Sequence, residues 1–94
     1  MTIHLTTTLH HFLQCNHAFW IAEFILLMQS KPEVIAEPFQ VWKFLRLPNS
    51  LFQIKLEDGN RNIIIIHHKH WEVPSIYECE IWFENNVLYL PHER

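Results

Sequence analysis

"LFQIKLEDGNRNIIIIHHKHW", residues 51–71, decides how this chain is read. Residues 51–57 alternate, with Phe52, Ile54 and Leu56 on one face and Gln53, Lys55 and Glu57 on the other. That is the two-residue period of a half-buried strand. Asp58 and Gly59, the only glycine in the chain, follow at once. Asp-Gly between two apolar runs signals a hairpin, because both residues tolerate the positive φ a tight turn needs. Residues 62–71 then predict the returning strand. Strict alternation places Ile64, Ile66, His68 and His70 on one face and Ile63, Ile65 and His67 on the other. Both faces are expected to be covered at the isoleucines, with the strand emerging at a wet rim at the histidines. Each fully covered isoleucine contributes roughly 1.5–3 kcal/mol.

Working outward from this hairpin, residues 48–50 ("PNS") read as a turn and 39–47 ("FQVWKFLRL") as the preceding strand. Pro38 biases Glu37 toward extended backbone, and Pro32 stops the helix before it. That helix spans about 17–29 and is apolar on nearly every side, so it is expected to be covered on more than one face. Asn16 is expected to cap it. Leu5, Leu9, Phe12 and Leu13 fall at helical spacing and predict a short amphipathic helix over 6–14. Beyond the hairpin, "EVPS" (72–75) breaks the strand. Ser75 with Glu78 makes a capping box, so one turn of helix is preferred at 75–78. A hairpin over 79–84 and 87–90, turning on Asn85 and Asn86, comes next. The sum is α+β: two N-terminal helices packed on a mainly antiparallel sheet of about five strands. A single domain is expected over 1–94, with helices within about 6–29 and the sheet within about 39–90.

Composition agrees. The 94 residues are 49% hydrophobic and 14% aromatic, with four tryptophans. A chain this long buries roughly 60–65% of its unfolded surface in one small core, and this one is too apolar for disorder. The net charge of −3 and the scattered Lys and Arg argue against a nucleic-acid binder, which carries a basic stripe. "AFWIAEFILLM" (18–28), interrupted by Glu23, is about half the ~20 residues a bilayer span requires. No leader is read at the N-terminus, and no membrane contact is expected. Cys15 and Cys79 are read as free thiols in a reducing cytoplasm.

Four segments occur in order: "AFWIAEFI", "EPFQVWKF", "LEDGN" and the closing "FENNVLYLPHE". Over roughly residues 18–93 the chain resembles an uncharacterised family of small bacterial, phage and plasmid proteins. Those proteins pair an aromatic-Trp helix with an F-Q-x-W strand, an E-D-G-N turn and a C-terminal L-x-L-P-x-E. His92 stands where that pattern has a small polar residue. The resemblance implies a compact α+β domain in a mobile-element setting and transfers no catalytic residue.

The candidate chemistry is thin. With one glycine there is no nucleophile elbow, P-loop or dinucleotide fingerprint. His68 and His70 share a strand face at i and i+2, which can begin a metal site, but zinc needs a third and usually a fourth ligand. A metal-binding protein on this pair is the alternative reading. Another is a small-molecule binder with an aromatic pocket between helix and sheet. Cys79, between Glu78 and Glu80, is read as structural, since a reactive thiolate needs an electropositive site. Glu78, Glu80 and Glu84 share a face with Trp82 on the predicted strand, a combination suited to a basic partner anchored on the indole. Trp71, with His68 and His70, is placed at the neighbouring rim.

The leading expectation is therefore a non-enzymatic protein-binding domain; the mobile-element setting of the family it resembles implies an inhibitor or modulator of a host protein. It uses Trp82, Glu78, Glu80, Glu84, Trp71, His68 and His70, with no cofactor and no metal. A homodimer is expected from the surplus of aromatic surface.

Overall fold

The computed structural model describes residues 3–70 and 76–94. A two-residue strand, β1 (His4–Leu5), leads into helix α1 (Thr7–Cys15), helix α2 (Phe19–Met28) and a one-turn helix, α3 (Pro32–Ile35). Five strands follow: β2 (Gln40–Leu47), β3 (Leu51–Glu57), β4 (Ile63–His70), β5 (Glu78–Glu84) and β6 (Val87–Tyr89). A 3₁₀ turn, Pro91–Glu93, closes the chain. Among the described residues the strands form one six-stranded sheet, in the order β1-β6-β5-β2-β3-β4. Its pairings are antiparallel except β1 with β6, which is parallel.

The fold is α+β as expected, with three helices instead of two and six strands instead of about five among the described residues. The extra helix has a local cause and the extra strand a distant one. Pro32 does end α2, and its fixed φ also suits the first position of a new helix, so it opens α3. Lys31 before it is extended (φ −85°, ψ 129°), as a residue preceding proline prefers. β1 is too short to show alternation. It exists because His4 N–H donates to Asn86 O and Thr6 N–H to Leu88 O.

Two further expectations are corrected. Asn16 does not cap α2. It ends α1, its side-chain amide donating to Phe12 O at 2.8 Å. His17 then turns the chain at φ 50°, and Ala18 precedes α2. The helical turn at 75–78 is absent at its described residues: Tyr77 O accepts from Arg46 N–H and Glu78 already belongs to β5. Ser75 lies outside the described residues.

The helices cover one face of the sheet. Trp20 packs edge-on against Phe44 and Phe52, and Phe24 against Trp42 and Phe44. With Ile54, Leu56, Ile81 and Leu88 these form a continuous core. Within it, Gln29 and Gln40 exchange amide hydrogen bonds (2.8 and 2.9 Å), and Trp42 Nε1 donates to Gln40 Oε1 at 2.9 Å. Gln40 also donates to Val34 O and Glu37 O. This network ties α2 and α3 to β2 and leaves no buried amide unpaired.

The isoleucine strand is the main correction. β4 is an edge strand, and Ile63 and Ile66 are half-exposed (52% and 50%). Leu56 pairs with Ile65 but Glu57 with Ile63, so Ile64 is an extra residue in a bulge. The bulge resets the alternation. Ile64 and Ile65 both pack against the core, and Ile64 parts company with Ile66, His68 and His70.

Candidate interaction surface

Cross-strand pairing puts directly opposed residues on one face. The face away from the helices therefore carries Val41, Lys43, Leu45 and Leu47 from β2, and Leu51, Gln53, Lys55 and Glu57 from β3. Glu78, Glu80, Trp82 and Glu84 lie on β5, and Ile66, His68 and His70 on β4. The sequence reading put Glu78, Glu80, Glu84 and Trp82 on one face of their strand and His68 and His70 on one face of theirs, at a neighbouring rim. It did not show how far apart they lie. β2 and β3 separate β5 from β4, so His68 and Glu78 sit three strand spacings apart, about 14 Å. Trp71 lies outside the described residues.

Two rows of side chains run straight across this face. One reads Ile66, Lys55, Lys43, Glu80; the next reads His68, Gln53, Leu45, Glu78. Around their inner members is a half-open depression of about 450 Å³, lined by Lys43, Leu45, Gln53, Lys55, Glu78 and Glu80. Leu45, at the middle of the second row, is exposed. Lys43 is held by Glu57, with Nζ 3.1 Å from Oε2.

Trp82 is engaged within the chain. Its Nε1 donates to Glu80 Oε2 at 2.6 Å, and its ring packs edge-on between Phe39 (5.3 Å) and Tyr89 (6.1 Å). The Arg94 guanidinium lies over Phe39 at 4.9 Å and Trp82 at 5.7 Å. Tyr89 OH donates to Glu84 Oε1 at 2.6 Å; burial first, then this hydrogen bond, push the hydroxyl up to about 12. The cluster is a plug at the end of the sheet, and Trp82 forms its wall. Gly59 sits against it: φ is 87°, and a Cβ there would meet Phe39 Cδ2 at 2.7 Å.

The family model for DUF6876, a family of unknown function, matches residues 1–94. The chain belongs to that family. The match extends the 18–93 resemblance over the whole sequence, and DUF6876 carries no assigned activity. Comparison with curated proteins and with solved structures finds no match in either. Within this DUF6876 chain, each quoted motif has a packing job. Gln40 and Trp42 of "FQVW" build the buried amide network. Asp58 of "EDGN" accepts from the N–H groups of Asn60 and Asn62, and Gly59 makes room for Phe39. Glu93 of "LYLPHE" accepts from Leu90 N–H and Thr6 Oγ1.

The remaining titratable groups define what chemistry is at hand. Both cysteines are free. Burial, then the Glu80 charge, push the Cys79 thiol up to about 12, which makes it a poor nucleophile at neutral pH. His67 turns to the helix side, its ring 5.3 Å from Phe24, away from His68 and His70. No group of three His, Cys, Asp or Glu side chains converges on one point among the described residues. Between helices and sheet, where an aromatic pocket was an alternative expectation, the core side chains pack together; the 450 Å³ depression lies on the opposite face. No described helix is long and apolar enough to cross a membrane.

Proposed function

We propose that this chain is a non-enzymatic protein-binding domain whose contact surface is the face of the sheet opposite the helices. One observation carries the reading: an exposed leucine, Leu45, lines a depression together with Lys43, Lys55, Glu78 and Glu80. Apolar centre and charged rim is the usual anatomy of a protein contact. Glu78 and Glu80 supply the hold on a basic partner. Trp82 contributes by fixing Glu80, not by inserting into the partner. His68 and His70 stand on the same face at its far edge.

The resemblance to phage and plasmid proteins adds a more specific proposal, that the partner is a host protein whose activity the domain modulates. That step rests on analogy. The test of the surface is affinity capture from the native host with wild type, Leu45→Glu and Leu27→Glu. Leu27, 71% exposed on α2, is the control on the helical side. A stoichiometric partner, another protein or a second copy, is expected with wild type and Leu27→Glu and is lost with Leu45→Glu. Loss with Leu27→Glu alone would move the contact to the helices and sink the reading.

A further inference from the structure

We infer that the occupant of this face is a second copy of the same chain, packed sheet to sheet about a two-fold axis that runs along β2. The inference rests on the proposed binding face and names its partner. The argument is charge geometry. β2 is flanked by acidic β5 on one side and by β3, carrying Lys55, on the other. Lys55 and Glu80 stand in one row, each next to Lys43 and on opposite sides of it. A two-fold parallel to β2 lays β5 of one copy over β3 of the other while keeping each row in register. It therefore brings Glu80 opposite the second copy's Lys55, and does so twice. Leu45, at the middle of the adjacent row, meets its own equivalent at the axis and fills the depression. Glu78 faces Gln53, which can donate to it.

The one like-charge meeting is Lys43 with itself, and Glu57 already neutralises Lys43 within each copy at 3.1 Å. Facing sheets pack about 10 Å apart, a gap that extended Lys and Glu side chains span. A standard interface takes ~800 Å² per partner, about a seventh of the 5818 Å² the chain exposes, a share that one face of a six-stranded sheet can supply. A closed isologous pair needs only a surface complementary to itself, and this face has acid and base at mirrored places around an apolar centre. The basic partner that the acidic strand calls for is thus the Lys55 of another copy.

The test is sedimentation of the purified full chain, with circular dichroism to verify folding of each variant. Wild type is expected to be a dimer. Lys55→Glu alone and Glu80→Lys alone each set like charges against each other twice and are expected to weaken the dimer at least tenfold. Mixed in equal amounts, the two variants restore both attractive pairs and are expected to form a one-to-one dimer. Should Glu80→Lys also disturb Trp82, its donor, Glu80→Gln keeps an acceptor for the indole; mixed with the Lys55→Glu chain it restores one of the two attractive pairs and is expected to pair more tightly with it than either variant does with itself.

Three results overturn the inference. The first is a wild-type monomer at about 100 μM, where standard-size interfaces associate. The second is a dimer indifferent to both charge reversals. The third is a dimer broken instead by a charge on the helical side, such as Leu27→Glu, with Leu27 71% exposed on α2. A monomer that still loses a captured host protein on Leu45→Glu would discard the second copy and keep the binding face. A monomer whose captures ignore Leu45→Glu would discard both.

Discussion

Gln40 shows how much one residue holds. Buried amides are tolerated only when satisfied, and Gln40 is satisfied by α2, α3 and Trp42 together. Gln40→Leu keeps the volume but strands Trp42 Nε1 and the Gln29 amide. Each orphaned group costs about 1–3 kcal/mol, so a loss of about 2–5 kcal/mol is expected in urea unfolding, larger than for Gln40→Glu at low pH, where the acid is neutral and can still accept. A result under ~1 kcal/mol would show that the network relaxes or takes in water. The sequence placed Gln40 correctly in a strand. Its role was not legible, because a glutamine partner eleven positions away becomes a neighbour only when α2 lies over β2.

At the scale of elements, the β3–β4 hairpin sets two expectations. Asp58 Oδ1 and Oδ2 accept from Asn60 N–H, Asn62 N–H and the Asn62 side chain. The Asn62 hydrogen bond first, then the Asn60 backbone, hold its carboxyl below the ordinary aspartate range. A depressed folded value means that the contribution is full above the unfolded pKa and is lost as pH falls through the folded one. Carbon-detected titration of Asp58 should show a midpoint below that of an unstructured Asp peptide; Asp58→Asn should remove this part of the acid limb of stability. The bulge sets the second expectation. Ile64→Ala and Ile65→Ala should each cost about 1–2 kcal/mol, and Ile66→Ala less than ~0.5, since only covered methyls are missed. Equal costs for Ile64 and Ile66 would restore the simple alternation. That alternation was the natural reading of "IIII", because a bulge depends on the partner strand and leaves no mark in an unbroken apolar run.

At the scale of the molecule, the two ends are tied together. Thr6 caps α1 by accepting from Leu9 N–H, its own N–H donates to Leu88 O, and its hydroxyl donates to Glu93 Oε2. Glu93 also accepts from Leu90 N–H at 2.7 Å. Glu93→Ala should cost about 1–2 kcal/mol and raise amide exchange at His4 and Thr6 before it affects β2 and β3. Uniform loss of protection would show instead that β1 unfolds only with the whole sheet. The expected surface was legible in part. Period two put Glu78, Glu80 and Trp82 together, and the same rule put His68 and His70 together on their own strand; that the two groups share one face of the sheet follows from strand pairing. The distance between the two groups, the capture of Trp82 by Phe39, Tyr89 and Arg94, and the Lys55–Lys43–Glu80 row all depend on strand order.

Local chemistry alone settled a good deal. Side-chain alternation, the Asp-Gly and Asn-Asn turns and the prolines determined where five of the strands and the two longer helices run, because those choices are made within a few residues. Strand order, the bulge at Ile64, the pairing of β1 with β6 and the polarity of the open face were decided only by tertiary structure. Each depends on which distant segment lies alongside, and that is settled by burying the aromatic core as a whole.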